Sequence, residues 1–217
     1  MLKFGDWINR KRHNRGFGIQ SPSAFFFITQ VLREKLPYYA YDRLDLIAEC
    51  CNDMSAKRCR RLFRIANDVS PASAITVASA TAACAIGSAC GRIPKQFISN
   101  SKETNPEVAR HLADCGCSRL CGNTLQLLKK CLEENKGAGL LYIGPCDNQK
   151  ELLEAAMEQT NKESVIIVEG IHRSKRHFEW WQQAISDPRT IVTYDMYSMG
   201  ILFFNSERPK QNYTLKI

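Results

Sequence analysis

The sequence lacks any long apolar run. None of its stretches approaches the roughly 18 consecutive apolar residues that a membrane-spanning helix needs. Its first residues, MLKFGDWINRKRHNRG, contain no apolar segment followed by a small-residue cleavage site, as a secretory signal would. Because 44% of the 217 residues are hydrophobic, the chain can still bury a substantial core. These features predict a cytoplasmic protein that does not enter a membrane.

The cysteines lack the spacing of metal sites. The chain has 10 Cys but only 4 His, and its densest group is Cys115-Gly-Cys117 followed by Cys121. This group has neither paired C-x-x-C motifs nor a nearby His pair, which structural zinc sites use. Other cysteines, such as Cys59 and Cys131, fall on the apolar faces of predicted helices. We therefore predict no metal site, and we expect free thiols packed as small apolar side chains in a reducing compartment.

Glycine is missing from a turn where nucleotide-binding folds need it. Residues 74–79 predict a short buried strand, and residues 82–89 predict a helix of small side chains. Between them, residues 78–82 read ASATA, where nucleotide-binding units carry Gly-x-Gly-x-x-Gly. Alanine at a positive φ costs about 1 kcal/mol and adds a methyl group toward the ligand. The pattern keeps the strand, turn and helix but not the glycines.

Positive charge is concentrated in the first third of the chain. The formal net charge is +8, and residues 1–70 hold 13 Lys and Arg against 7 Asp and Glu. The remaining residues hold 17 against 15. Such a basic segment suits an anionic ligand or RNA, but it also favours plain solubility, and both interpretations remain open.

Residues 1–70 predict a basic helical segment. A serine followed by proline at residues 21–22 is typical of a helix start, and this helix is predicted to reach about residue 36. Further helices are predicted at 41–51 and 56–69. The helix at 56–69 is amphipathic, with a basic side that is predicted to face solvent: Lys57, Arg58, Arg60, Arg61 and Arg64. Contact of this side with RNA is the alternative.

From residue 71 the pattern changes to alternating strands and helices, which is typical of a parallel sheet covered by helices on both faces. Seven strands are predicted, at 74–79, 95–99, 117–121, 139–143, 164–168, 190–194 and 200–204. Five helices are predicted between them, at 82–90, 105–114, 123–135, 148–160 and 172–186. A short turn joins the last two strands, so the final strand is antiparallel to its neighbour. We therefore expect the helical segment 1–70 to pack on an α/β domain of residues 71–217.

Three local strings carry a resemblance to a known family. Residues 15–22, RGFGIQSP, are similar to an R-G-x-G-I-x-S-P opening, and residues 168–174, VEGIHRS, are similar to V-x-D-D-I-H-W-S. Residues 194–204 are similar to a D-x-x-x-x-G-x-x-F-F hairpin. With the order of elements, these strings resemble the class I S-adenosylmethionine-dependent methyltransferases, and more narrowly a bacterial branch with a basic N-terminal helical segment. The resemblance implies a Rossmann-like α/β fold, S-adenosylmethionine as cofactor, and methyl transfer to an oxygen or nitrogen of a small molecule.

The resemblance also assigns cofactor-binding positions, which are Ala78, Ser79, Ala80, Ala82, Ser99, Asn100 and Gly144. The family's E-L-G-x-x-x-G motif falls on residues 76–82, which lack its acid and both glycines. Ser99 replaces the acid that holds the ribose hydroxyls, and Glu103 follows four residues later. The family's I-D-G becomes IGP at residues 143–145. Each lost contact costs about 1–3 kcal/mol, and a micromolar affinity amounts to about 8 kcal/mol, so we predict degraded cofactor binding.

The candidate catalytic residues are Glu169 and His172, at the end of the fifth predicted strand. By the resemblance, an Asp-Asp pair of the family becomes Glu169-Gly170. A carboxylate and an imidazole suit proton transfer or the positioning of an acceptor near neutral pH. The alternative is that Glu169 caps the next helix and His172 lies at the surface.

Arg15, Gln20 and Ser21 are predicted on the substrate side, if the N-terminal segment covers the crevice. The simpler alternative is that Arg15 is exposed and Ser21 caps a helix. Ser79 and Thr81 also have two interpretations, since their hydroxyls suit either the binding of an anion or the capping of a helix.

Two classes of function remain open. As an enzyme, the protein would transfer a methyl group from S-adenosylmethionine to a small acceptor. As a non-catalytic relative, it would bind an anionic ligand, a protein partner or RNA through its basic N-terminal layer or its altered crevice. The sequence does not indicate an oligomeric state.

Overall fold

The fold is built on one eight-stranded sheet, in a computed structural model that describes residues 18–101, 103, 105–137 and 139–216. The strands are β1 (Ala74–Val77), β2 (Lys95–Ser99), β3 (Ser118–Cys121), β4 (Leu140–Ile143), β5 (Val165–Glu169), β6 (Val192–Asp195), β7 (Met199–Phe203) and β8 (Gln211–Thr214). Their order is β3-β2-β1-β4-β5-β7-β6-β8. β1 to β5 pair in parallel, and β7 runs antiparallel to both β5 and β6. The predicted α/β fold, with a mostly parallel sheet and an antiparallel C-terminal hairpin, is confirmed.

The prediction of seven strands was wrong by one, because β8 adds to the outer edge of β6 in parallel. Its sequence, QNYT, has only one strongly apolar position. Tyr213 stacks on Tyr194 with ring centroids 5.3 Å apart, and Leu215 N donates to Asp195 O at 2.7 Å. Cross-strand contacts rather than a local pattern therefore create this strand.

Eight α-helices surround the sheet in the described part of the chain. They are α1 (Pro22–Phe26), α2 (Tyr41–Cys51), α3 (Ala56–Val69), α4 (Ala80–Ala89), α5 (Pro106–Asp114), α6 (Thr124–Glu134), α7 (Gln149–Glu158) and α8 (Lys175–Ser186). A π-helix, Phe27–Leu32, continues α1. The predicted helices at 41–51 and 56–69 have the predicted bounds, and α8 begins later than predicted because Ser174 caps it, accepting from His177 N.

The first predicted helix ends at Leu32 rather than near residue 36. Arg64 of α3 binds the last carbonyls of the π-helix, with Nε donating to Val31 O at 2.7 Å and Nη2 to Leu32 O at 3.1 Å. Glu34 then accepts from the backbone N–H groups of the next two residues, which holds them in a turn. A tertiary cap therefore ends this helix early.

The predicted solvent-facing basic side of α3 was wrong for two of its residues. Arg61 is 2% exposed and Arg64 is 8% exposed. Arg60 is paired with Asp45, and Arg58 with Glu169. The helix packs against the π-helix, α2 and α4 at once, so it has too little free surface to hold five basic side chains in solvent.

The core lies on both faces of the sheet. One apolar cluster joins the π-helix and α2 to α5 with side chains such as Tyr142 and Ile167, and the other joins α6, α7 and α8 with side chains such as Ile143 and Val168. Trp181 lies directly on Gly200 of β7, where an added Cβ would come within 2.3 Å of the indole ring. This contact explains the glycine in the hairpin string. None of the described helices is long and apolar enough to cross a membrane.

Candidate functional site

A cleft of about 510 Å³ opens at the carboxyl ends of β1, β2 and β4. β1 lies between β2 and β4, so the order of the strands reverses at β1. Open α/β sheets bind ligands in the crevice at such a reversal. Its lining consists of Cys50, Cys51, Asp53, Ala78, Ala80, Phe97, Ser99, Asn100, Glu103, Asn105, Val108, Thr124, Pro145, Cys146, Asp147 and Asn148.

The turn from β1 to α4 keeps a glycine-like backbone without a glycine. Ala78 has φ +63°, in the left-handed region that side chains disfavour. Gly144 N donates to Val77 O at 2.9 Å, and a Cβ on Gly144 would come within 3.1 Å of that oxygen. Glycine is therefore present at position 144, where two backbones meet, whereas alanine occupies the left-handed position 78 that faces the cleft.

Four of the seven predicted cofactor positions line this cleft: Ala78, Ala80, Ser99 and Asn100. The other three are not part of its lining: Ser79, Ala82 and Gly144. Ser79 and Ala82 are buried in the first turn of α4, and Gly144 supports the turn from below as described above.

Sequence reasoning missed Asp53, from the loop between α2 and α3. Its Oδ2 accepts hydrogen bonds from Ser79 Oγ at 3.0 Å and from Thr81 N at 3.4 Å, and its Oδ1 accepts from Thr81 Oγ1. Ser79 Oγ accepts in turn from Ala82 N at 3.1 Å. The capping interpretation of Ser79 is confirmed, and a carboxylate of the chain itself lies at the start of α4. No local signal marks Asp53, because its partners lie 26 and 28 residues away.

The loop after β2 contributes one acidic residue, Glu103, to the lining of the cleft. Ser99 Oγ donates to Ser101 O and accepts from Ser101 N, both at 3.1 Å, and Ser101 Oγ accepts from Glu103 N at 3.1 Å. These two successive turns bring Glu103 into the cleft lining beside Asn100. Glu103 is therefore among the lining residues of the cleft, four residues after Ser99 in the sequence.

The lining is negatively charged. It includes three carboxylates, which belong to Asp53, Glu103 and Asp147, and no Lys, Arg or His among the residues that the structure describes. Cys50, Cys51 and Cys146 border the same space, and burial raises the pKa of Cys146 to about 11. This cleft disfavours an anionic ligand.

Glu169 lies outside the cleft lining and is only 3% exposed. Its carboxylate contacts the Arg58 guanidinium and accepts from the Tyr142 hydroxyl, while its backbone oxygen accepts from Gln149 Nε2 at 2.7 Å. Burial raises the pKa of Glu169, although Tyr142 and Arg58 act in the opposite direction. Because Ser174 caps α8, the capping alternative for Glu169 was wrong. The carboxylate instead ties α3 to the sheet.

His172 pairs with Asp195, at the carboxyl ends of β5 and β6. Its Nε2 lies 2.7 Å from Asp195 Oδ2, and its ring stacks on Tyr197 with centroids 4.9 Å apart and planes 13° apart. Asp195 Oδ1 also accepts from Tyr197 N at 2.8 Å. The imidazole is 12% exposed, so the surface alternative for His172 was wrong. The aspartate in the hairpin string was the available signal for this pair.

Of the predicted substrate-side residues, Gln20 and Ser21 are not among those that line the cleft. Arg15 lies outside the described residues. Gln20 is exposed, and Ser21 caps α1 by accepting from Ala24 N at 3.4 Å. Ser23, two residues later, borders a different cavity with residues that directly precede β1 and β5. Ser23 therefore lies at the amino ends of these strands, away from the cleft.

A second cleft of about 790 Å³ lies between α2, the end of α4 and α5. Three cations line it with one acid, and these are Arg43, Arg92, Lys95 and Asp114. Ser88 Oγ lies 2.9 Å from His111 Nε2 in the same wall. Burial and the nearby Arg43 lower the pKa of His111, so this histidine is neutral near pH 7. The two clefts have opposite charge.

The thiols are free and the described residues form no metal-binding cluster. All ten cysteines are unpaired, as predicted. Burial raises the pKa of Cys59 to about 12, which makes its thiol inert. Within the described ranges, no group of three or more His, Cys, Asp or Glu side chains is arranged to hold a metal ion.

Solved structures share this fold. The O-methyltransferase from Bacillus cereus, crystallised with S-adenosylhomocysteine, has a TM-score of 0.60 and 11% identity, over 82% of this chain and 95% of its own. TomG from Streptomyces achromogenes, an O-methyltransferase of tomaymycin synthesis crystallised with S-adenosylmethionine, has a TM-score of 0.61 and 10% identity, over 95% and 100%. The S-adenosylhomocysteine-bound methyltransferase PaMTH1 from Podospora anserina has a TM-score of 0.60 and 11% identity, over 87% and 97%.

No family model matches the sequence, and no curated protein is significantly similar to it. The structural likeness covers most of this chain and nearly all of the three neighbours. Together with the strand order and the antiparallel β7, it shows that the chain has the fold of the class I S-adenosylmethionine-dependent methyltransferases.

Proposed function

We propose that this protein is an S-adenosylmethionine-dependent methyltransferase that acts on an oxygen or nitrogen of a small molecule, with weakened affinity for its cofactor. The observation that carries this proposal is the open cleft at the carboxyl ends of β1, β2 and β4. In this class of fold that crevice is the ligand site. The Bacillus cereus and Streptomyces achromogenes neighbours were crystallised with S-adenosylhomocysteine and S-adenosylmethionine.

The cleft retains part of what the cofactor needs. Glu103, Ser99 and Asn100 line the cleft beyond the end of β2, and we propose that they hold the ribose hydroxyl groups, since a carboxylate can accept two such hydrogen bonds. The cofactor supplies an electrophilic methyl group when it is bound. The missing contacts are the glycines of the β1–α4 turn and the acid after β4, which support the weakened affinity.

On the acceptor side, His172 and Asp195 are better placed than Glu169. The carboxylate of Glu169 is buried against Arg58 and Tyr142, so it does not reach a substrate without breaking both contacts. The His172–Asp195 pair lies at the carboxyl ends of β5 and β6, on either side of β7, where it would orient the acceptor and handle its proton. Glu169 and His172 remain predictions as catalytic residues, and we propose Asp195 as the partner that orients His172.

Calorimetric titration with S-adenosylmethionine tests the proposal. We expect a Kd between about 100 μM and about 1 mM, at the weak end of the range in which working enzymes bind their substrates. Asn100→Trp fills the cleft and should abolish the binding. The control is Asn67→Trp on α3, which is also at an exposed position but outside the cleft and should leave the binding unchanged. A Kd below about 100 μM would contradict the weakened affinity, and the absence of binding at millimolar concentrations would contradict the methyltransferase function.

The second cleft favours one alternative, a non-catalytic protein that binds an anionic ligand. Its three cations include Arg43 of the N-terminal layer. If this alternative is correct, pyrophosphate binds to the wild type, Arg43→Gln removes that binding, and S-adenosylmethionine does not bind. RNA binding has less support from α3, because Arg58 and Arg60 are paired and two further arginines are buried.

A further inference from the structure

Asp53 places a negative charge at the start of α4, on the wall of the first cleft. Its carboxylate accepts from Ser79 Oγ, Thr81 N and Thr81 Oγ1. The first turn of a helix ordinarily attracts the phosphate or carboxylate of a ligand, because its amides are unpaired and its dipole is positive. Here the chain's own carboxylate already occupies this position, so a ligand anion would have to displace Asp53.

The rest of the cleft adds to this charge. Glu103 and Asp147 line the same space, and no basic side chain does so among the described residues. The field of Asp53 extends beyond its hydrogen bonds. Burial is the main cause of the raised pKa values of Glu169 and Cys51, and the charge of Asp53 raises both further. The negative charge of this lining attracts a positively charged ligand and repels an anionic one.

We propose that Asp53 is a specificity-determining residue that makes the cleft select nucleosides with a positive charge at the 5′ side. This inference rests on the proposed function, since it takes the cleft to be the nucleoside site. S-adenosylmethionine and S-adenosylhomocysteine form a matched pair, because the former adds one methyl group and one positive charge at sulfur. The cleft therefore binds S-adenosylmethionine more tightly than S-adenosylhomocysteine.

The experiment compares the two compounds by calorimetry at about 20 mM and about 500 mM NaCl. We expect a preference of about tenfold for S-adenosylmethionine at low salt, the effect of one unit charge beside a partly exposed carboxylate. The preference should shrink at high salt. Asp53→Asn keeps an acceptor for the helix amide but removes the charge, and should reduce the preference to about twofold or less. Glu163→Gln, which removes a charge at the opposite edge of the sheet, should leave it unchanged.

Equal affinity for the two compounds in the wild type at low salt, or an unchanged preference in Asp53→Asn, would overturn this inference and leave the proposed function standing. If S-adenosylmethionine does not bind at all, the proposed function fails, and the inference is decided by 5′-amino-5′-deoxyadenosine against AMP. A salt-sensitive preference for the amine supports it. Equal binding, or no binding of either compound, refutes it. The wild-type comparison needs no variant, so the result does not depend on how well Asp53→Asn folds.

Discussion

At the scale of single residues, the β1–α4 turn has an alanine in a left-handed backbone conformation that glycine adopts more easily. Ala78 has φ +63°, and its N–H donates to Ile98 O at 3.0 Å, so the turn is fixed by the sheet rather than by the local sequence. The backbone has kept a geometry that its side chain disfavours. The strain is a property of this one residue.

Ala78→Gly should therefore leave the protein equally stable or more stable, by up to about 1.5 kcal/mol. The relief of left-handed strain, about 1–2 kcal/mol, exceeds the cost of a more flexible unfolded chain, about 0.4–1 kcal/mol. The measurement is urea unfolding at equilibrium. Ala109→Gly is the control, because Ala109 is exposed within α5, where glycine should lower the free energy of unfolding by about 1 kcal/mol. Equal losses in both variants would show that Ala78 is not strained.

At the scale of elements, α3 carries two buried arginines with different surroundings. Arg64 donates to two π-helix carbonyls and to the Tyr41 hydroxyl. Arg61 is 2% exposed, and its buried Nε has no hydrogen-bond partner among the described residues. Burial, followed by the nearby Arg64 and Arg58, lowers the pKa of Arg61 to about 10. Arg64 therefore stabilises the packing of the helices, whereas burial of Arg61 lowers the stability of the fold.

Replacing each arginine by methionine separates these roles. Arg61→Met should raise the free energy of unfolding by about 1–3 kcal/mol, since it removes a buried, poorly paired charge and keeps the volume. Arg64→Met should lower it by about 2–4 kcal/mol, since the Val31 and Leu32 carbonyls lose their donors. Thermal and urea unfolding measure both effects. Destabilisation by Arg61→Met would mean that the Arg61 charge is paired after all.

At the scale of the whole molecule, Glu169 links the helical layer to the sheet through Arg58 and Tyr142. Burial raises the pKa of this carboxyl above its ordinary value of 4.5, so the folded protein holds the proton more tightly than the unfolded chain does. The stabilisation from this group is complete below pH 4.5 and is lost as the pH rises through the raised pKa. An ion pair that dominated burial would give the opposite trend.

Glu169→Gln should therefore become more stable relative to the wild type as the pH rises from about 4 to about 7. Urea unfolding of both proteins across this range measures the difference. Glu179→Gln is the control, because Glu179 is exposed on α8 and its difference from the wild type should stay flat. A falling difference for Glu169→Gln would show that Arg58 outweighs burial and lowers the pKa.

The sequence alone was sufficient for the order of β1 to β7 and of the helices between them, the antiparallel hairpin and the crevice at the β1–α4 turn. It left the caps at Ser21 and Ser79 as one of two interpretations, and the structure decided between them. The order of the elements follows from hydrophobic periodicity and from helix start and stop signals, which depend on residues a few positions apart. Ala78, Ala80, Ser99 and Asn100, which line the cleft, were assigned by the resemblance to the methyltransferase motifs rather than by periodicity.

Only the tertiary structure decided which charges meet. Asp53 reaches Thr81 across 28 residues, His172 reaches Asp195 across 23, and Arg58 reaches Glu169 across 111. β8 likewise exists because β6 offers an open edge. Such contacts depend on how helices pack over the sheet, and no local pattern specifies that packing. The order of the elements could therefore be predicted from the sequence. The negative charge of the cleft could not, because it depends on the α2–α3 loop, which places Asp53 in the cleft lining.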